Sequence, residues 1–121
     1  MKRALFTLLL VASTSAVANQ AKPVCDQAVE MAFDFVAKQY SIRPDVGSAP
    51  IRSVSRAQTY REVCHVGYKQ GKKHDRSQLD ALMKEVREEA NGIDMELREV
   101  RELIGDMSVV LAYKAGYQAG E

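Results

Sequence analysis

Two cysteines, two histidines and a row of carboxylates are the residues of this 121-residue chain whose types could do chemistry. Cys25 and Cys64 carry the strongest signal. A thiol pair does redox work at Cys-x-x-Cys spacing, and it holds zinc when further ligands converge on it. Thirty-eight residues separate these two and no His-rich segment accompanies them, so the pair reads as a disulfide. For a loop of that length the chain-entropy account gives about 3–4 kcal/mol, a large share of a small domain's stability. His65 follows Cys64 directly, and on a helix the two point about 100° apart, which makes them poor co-ligands. His74 and Asp75 fall in a charged turn and alone supply half of a four-ligand metal site. Asp26, Glu30 and Asp34 recur every four residues. Such a row could do acid–base work, but a solvated helix face has the same pattern. There is no Gly-x-Gly-x-x-Gly, Walker loop, His-Glu-x-x-His or Gly-x-Ser-x-Gly. This inventory assigns no catalytic residue, no cofactor site and no metal ligand, and it points away from an enzyme.

The second signal is a short repeat. Gly67-Tyr68-Lys69-Gln70-Gly71 and Gly116-Tyr117-Gln118-Ala119-Gly120 both read Gly-Tyr-x-x-Gly. Glycine inside a helix costs about 1 kcal/mol relative to alanine, so a pair used twice has a packing reason. One reading is close backbone approach of two helices, these two among the candidates. The other is a tyrosine-lined groove that receives a partner, with Gly67, Tyr68, Gly71, Tyr113, Gly116 and Tyr117 as its residues. Both stay open at the level of sequence. From Cys64 to Gly71 the chain resembles small periplasmic immunity proteins of type VI secretion systems. Those carry a cysteine shortly before a Gly-Tyr-x-x-Gly helix in an exported all-helical domain. The likeness covers eight residues, and two residues, His65 and Val66, stand between cysteine and glycine where that pattern has one. It implies an inhibitor or immunity role against a secreted enzyme.

The elements that must position these groups all read as helices. Apolar residues at Cys25, Ala28 or Val29, Ala32, Phe35 or Val36, and Tyr40 draw a stripe over 24–40, with Pro23 suited to the first helical position. From Ser41 to Ser55 the periodicity stops, and Pro44, Gly47 and Pro50 mark a loop flanked by Arg43, Arg52 and Arg56. Fifteen residues is long for such a connector, and long loops are functional or mobile. Ser55 with Gln58 has capping-box spacing for a helix over 56–73, whose face runs Ala57, Tyr60, Cys64, Tyr68. Asp75 with Gln78, or Ser77 with Asp80, would cap the next one. Beyond it, Leu79, Met83, Val86, Ala90, Ile93, Leu97, Val100, Ile104, Met107 and Leu111 step by four and three without a fault. That is a heptad seam more than four repeats long, a coiled-coil pattern. Asn91-Gly92 and Gly105-Asp106 are stop signals that would cut it into helices at 77–91, 93–104 and 107–119. A continuous helix over 77–104 is the rival. The fold class that follows is all-α, a small bundle of four or five helices with one disulfide between the first two.

Compartment is written in the first 18 residues. Lys2 and Arg3, the apolar run Ala4–Ala12 and the small-residue end Ala16-Val17-Ala18 match a secretory signal peptide cut before Asn19. The expected mature chain, 19–121, is a single all-α domain, exported to the periplasm or beyond, where a cysteine pair oxidises. The apolar run is too short for a stable membrane anchor. In residues 19–76 ten basic groups face six acidic ones, and in 77–121 five basic groups face ten acidic ones. The near-neutral total excludes nucleic acid as a partner class, while the uneven halves could steer a charged protein. The function expected is non-catalytic protein–protein binding, either self-association through the heptad seam or capture of a partner at the 41–55 loop or the tyrosine patch. An inhibitor or immunity-type protein is the first alternative, and a small exported enzyme the second.

Overall fold

The computed structural model describes residues 15–92 and 96–121, with side chains from Ala21 onward. The expected leader lies outside the described residues as far as Thr14. Four α-helices and one short 3-10 helix make up the described chain: α1 Ser15–Ile42, the 3-10 helix Pro44–Val46, α2 Val54–Lys72, α3 Ser77–Gly92 and α4 Leu97–Gly120. No strand occurs among the described residues, and no helix there is long and apolar enough to cross a membrane.

α1 is longer than its sequence stripe predicts. It runs through the Ala18–Asn19 junction and carries Pro23 inside it rather than at its first position. Pro23 has no N–H to give to the carbonyl four residues back, so that turn lacks one rung. What holds α1 in place is burial further along. Ala21, Cys25, Ala28, Val29, Ala32, Val36 and Tyr40 all face inward, the three-and-four spacing of a core-facing stripe.

The cap of α2 is Ser53, not Ser55. Its hydroxyl accepts from the Arg56 backbone N–H at 3.1 Å, and the helix begins two residues earlier than predicted. α2 ends in a reciprocal pair of turns: the His74 N–H donates to the Gly71 carbonyl and the Asp75 N–H to that of Gln70. That closure needs a left-handed residue, and His74 supplies it at φ 54°. Asp75 then takes the Ser77 N–H at 3.0 Å and the Ser77 hydroxyl at 2.6 Å, which starts α3.

Of the two expected breaks in the heptad series, one is used. α3 ends at Gly92, but α4 passes through Gly105 and Asp106 without interruption. Packing on both sides overrides the local signal there. Val100 and Ile104 join Val36, Tyr40 and Val46 in one apolar cluster. On the next turn, the Ser108 hydroxyl donates to the Gly105 carbonyl at 2.6 Å. Its single proton spent, it accepts from Tyr60 at 2.8 Å. The seam is therefore divided between two neighbours: Leu79, Met83 and Val86 pack in the main core, and Val100 and Ile104 pack on α1.

Chain direction alternates. Gly67 meets Tyr113 and Gly71 meets Tyr117, so α2 and α4 run parallel. Cys25 joins Cys64, while Phe33, further on, stacks edge-to-face on the earlier Tyr60 at 5.2 Å, so α1 is antiparallel to α2. In an up-and-down bundle the two parallel helices usually stand on a diagonal. Here they touch at the centre.

Candidate functional site

All six residues of the expected tyrosine groove are buried, and they meet one another. A Cβ on Gly67 would fall inside the Tyr113 carbonyl, and one on Gly71 inside that of Tyr117. In return, one on Gly116 would strike the Cys64 carbonyl and one on Gly120 that of Tyr68. The two Gly-Tyr-x-x-Gly segments are each other's partners, backbone against backbone. The close approach of helices that the repeat allowed is what these glycines serve, and no open groove forms there. Tyr113 is fully buried and donates to Gln78 Oε1 at 2.9 Å, which ties α4 to α3, and burial pushes its phenol pKa well up. Lys72 lies 5.4 Å over the Tyr68 ring and Arg76 5.6 Å over Tyr117, so cations close the outer ends of the patch.

Cys25 and Cys64 form the disulfide, with Cα atoms 5.5 Å apart and both residues without solvent exposure. The bridge links α1 to α2. These are consecutive α-helices, but the 3-10 helix Pro44–Val46 lies between them in the chain, so the bridge does not join consecutive helical elements. Gly116 sits under it: a Cβ there would also come 3.0 Å from Cys64 Sγ.

Two of the three carboxylates of the row are engaged in ion pairs. Asp26 accepts from Lys22 at 2.9 Å and from Arg61 at 3.2 Å, and those bonds, the Lys22 one first, hold its carboxyl below the usual range. Glu30 pairs with Arg52, and Asp34 faces solvent. His65 stands beside this group, half-buried, its Nε2 without a hydrogen-bond partner among the described residues. Burial, then the Arg61 charge, lower its pKa, so the ring is neutral at pH 7. No group of three or more His, Cys, Asp or Glu among the described residues could hold a metal ion.

The feature that stands out from the surface is the connector between α1 and α2. Its first half is anchored. Val46 is buried against Tyr40, Val100 and Ile104, its carbonyl accepts from Arg101 at 3.2 Å, and Arg43 clamps Asp45 through two bonds of 2.9 and 3.1 Å. Gly47 then turns the chain at φ 104°, a conformation that side chains rarely adopt. The second half is anchored at Arg52, which pairs with Glu30 and lies 4.5 Å over the Phe33 ring. Between these holds, Ser48 to Ile51 make no backbone hydrogen bond with the described residues. Ile51 is 89% exposed and Val54 is 87% exposed. Two adjoining hollows of about 400 and 330 Å³ lie beneath, sharing Arg56, Gly105 and Val109. Arg98 and Arg101 line the larger, together with Glu102 and Asp106.

This arrangement can dock: Arg43 and Arg52 are engaged by Asp45 and Glu30, and the bare apolar knobs beside Arg56 and Arg98 fit an apolar surface edged with carboxylates. Sequence reasoning found the loop and three of its arginines but not Ile51, Val54, Arg98 or Arg101. The available signal was Ile51 itself, an apolar residue between Pro50 and Arg52 in a segment with no periodicity to bury it. No family model, no curated protein and no solved structure matches the chain.

Proposed function

We propose that this protein is an exported, non-catalytic binding protein that captures a protein partner on its 47–54 loop, through a surface of the partner rich in carboxylates. The observation that carries the reading is the near-complete exposure of Ile51, on a segment held at both ends, and of Val54 just beyond it at the first position of α2. Large apolar side chains left bare on an ordered loop mark an interaction surface. A loop already held in place loses less entropy on binding. The surrounding Arg43, Arg52, Arg56, Arg98 and Arg101 are the residue type enriched at interfaces. The sequence signals of the leader and the buried disulfide support an oxidising compartment.

A second reading, an inhibitor or immunity-type protein against a secreted enzyme, is favoured by the loop's form. A projecting segment whose backbone polar groups are unpaired suits insertion into a cleft. Affinity capture from periplasmic extract tests both. Ile51→Asp combined with Val54→Asp leaves the melting temperature nearly unchanged, because neither side chain packs on the core, and reduces recovery of the partner at least tenfold. Equal recovery by the parent and the variant sinks the reading.

A further inference from the structure

Part of the heptad series stays uncovered by the described residues. Met83, Val86 and Ala90 of α3, Met107 and Leu111 of α4 and Phe35 of α1 line an open groove of about 410 Å³. Five of these six side chains are half-buried and Ala90 is exposed, so the groove is a shallow face rather than a closed tunnel. Its charged lining is one-sided: Arg87 comes from α3 and Lys114 from α4, and among the described residues no acidic side chain lines it with them.

We propose that this groove takes an amphipathic helix of a partner protein, one whose apolar stripe is bordered by acidic residues. Three features select that occupant. The depression lies between helices, and a helix about 10 Å across covers a broad shallow face that a single acyl chain would leave half wet. Two methionines at its wall are flexible and polarisable, able to fit the ridges of another helix. Arg87 and Lys114 attract carboxylates beside the stripe, and the same pair opposes a second copy of this chain, because a two-fold contact would set like charges against each other. This surface is separate from the 47–54 loop and does not rest on the reading given for it.

The test titrates the purified protein with a labelled helical peptide of about five turns, leucine at i, i+3 and i+4 spacing and glutamate beside the stripe, and with its lysine counterpart. The glutamate peptide binds one to one and at least tenfold tighter than the lysine peptide. Arg87→Glu combined with Lys114→Glu reverses that order, a gain that an unfolded variant cannot produce. Ile51→Asp with Val54→Asp leaves both affinities unchanged, which separates this surface from the loop. Equal binding of the two peptides, or binding of neither, overturns the proposal. So does dodecanoate binding where neither peptide competes, or a dimer of the unliganded protein that Leu111→Glu dissociates.

Discussion

At the α2–α4 seam a single methyl group has nowhere to go, while at the 47–54 loop an isoleucine touches almost nothing. Both regions are built around glycine, and the contrast shows two uses of it. Gly67, Gly71, Gly116 and Gly120 are there for space, because each faces a carbonyl of the opposite helix. Gly47 has open space around it and is there for its backbone angle. The seam sets α2 backbone-to-backbone against α4. The loop hangs on the helices by Val46 and Arg52 and keeps its apolar residues outside.

The sharpest way to break this comparison is to add a methyl group in each setting. Gly116→Ala puts a Cβ into the Cys64 carbonyl and close to the disulfide sulfur, so α2 and α4 must separate. Overpacking against backbone has no flexible side chain to absorb it, and the expected loss is roughly 4 kcal/mol or more. Gly67→Ala behaves alike from the other side. Gly105→Ala meets nothing within contact distance on the same helix as Gly116 and is expected to gain about 0.5–1 kcal/mol from helix propensity. Urea titration reads all three. If Gly116→Ala were as stable as the parent, the backbone contact would not be what fixes the seam.

Next in size is the disulfide. Replacing Cys25 and Cys64 together by alanine opens a loop of sequence separation 39, for an expected loss of about 3–4 kcal/mol. Both sulfurs are buried between α1 and α2 beside Gly116, so the loss appears as a lower unfolding midpoint with the loop's partner affinity kept wherever the protein is still folded. A variant that kept its stability but lost the partner would place the bridge in the binding site instead.

Legibility in the sequence differed between the two regions for a physical reason. A disulfide, helical stripes and twice-used glycine spacing are local patterns, and each was readable before the helices were placed. Which helices the glycines join is also suggested by the repeat, because like segments can pair with like. Gly105 shows the limit: its local stop signal is outweighed by the packing of Ile104 with Val36, Tyr40 and Val46, and by the bond from Tyr60 to Ser108, 48 residues away in the chain. The heptad series misled in the same way, since a regular step does not say that its two halves will face different neighbours. The loop was visible as a gap in periodicity. Its stiffness was not, because Arg101 reaches Val46 across 55 residues and Arg52 reaches Glu30 across 22. Distant holds of that kind leave no mark on local spacing.

A smaller loss of stability than at Gly116 or the disulfide gives the most direct probe of the loop. Gly47→Ala introduces no clash, since a Cβ there has no atom within contact distance, so any cost comes from the backbone alone. At φ 104° and ψ −160° an alanine is strained by about 1–2 kcal/mol. The chain can pay that in stability, or it can relax by turning the segment that follows. The two routes are separable by measurement. If Val46 and Arg52 hold the loop firmly, the melting temperature falls by roughly 4–8 °C per kcal/mol and the affinity for the partner on Ile51 stays within a few-fold. If the loop swings instead, the melting temperature stays near the parent's and the affinity falls as Ile51 leaves its position. The second result would mean that the loop is ordered by its glycine and not by its anchors, and the case for a preformed docking surface would then rest on the partner.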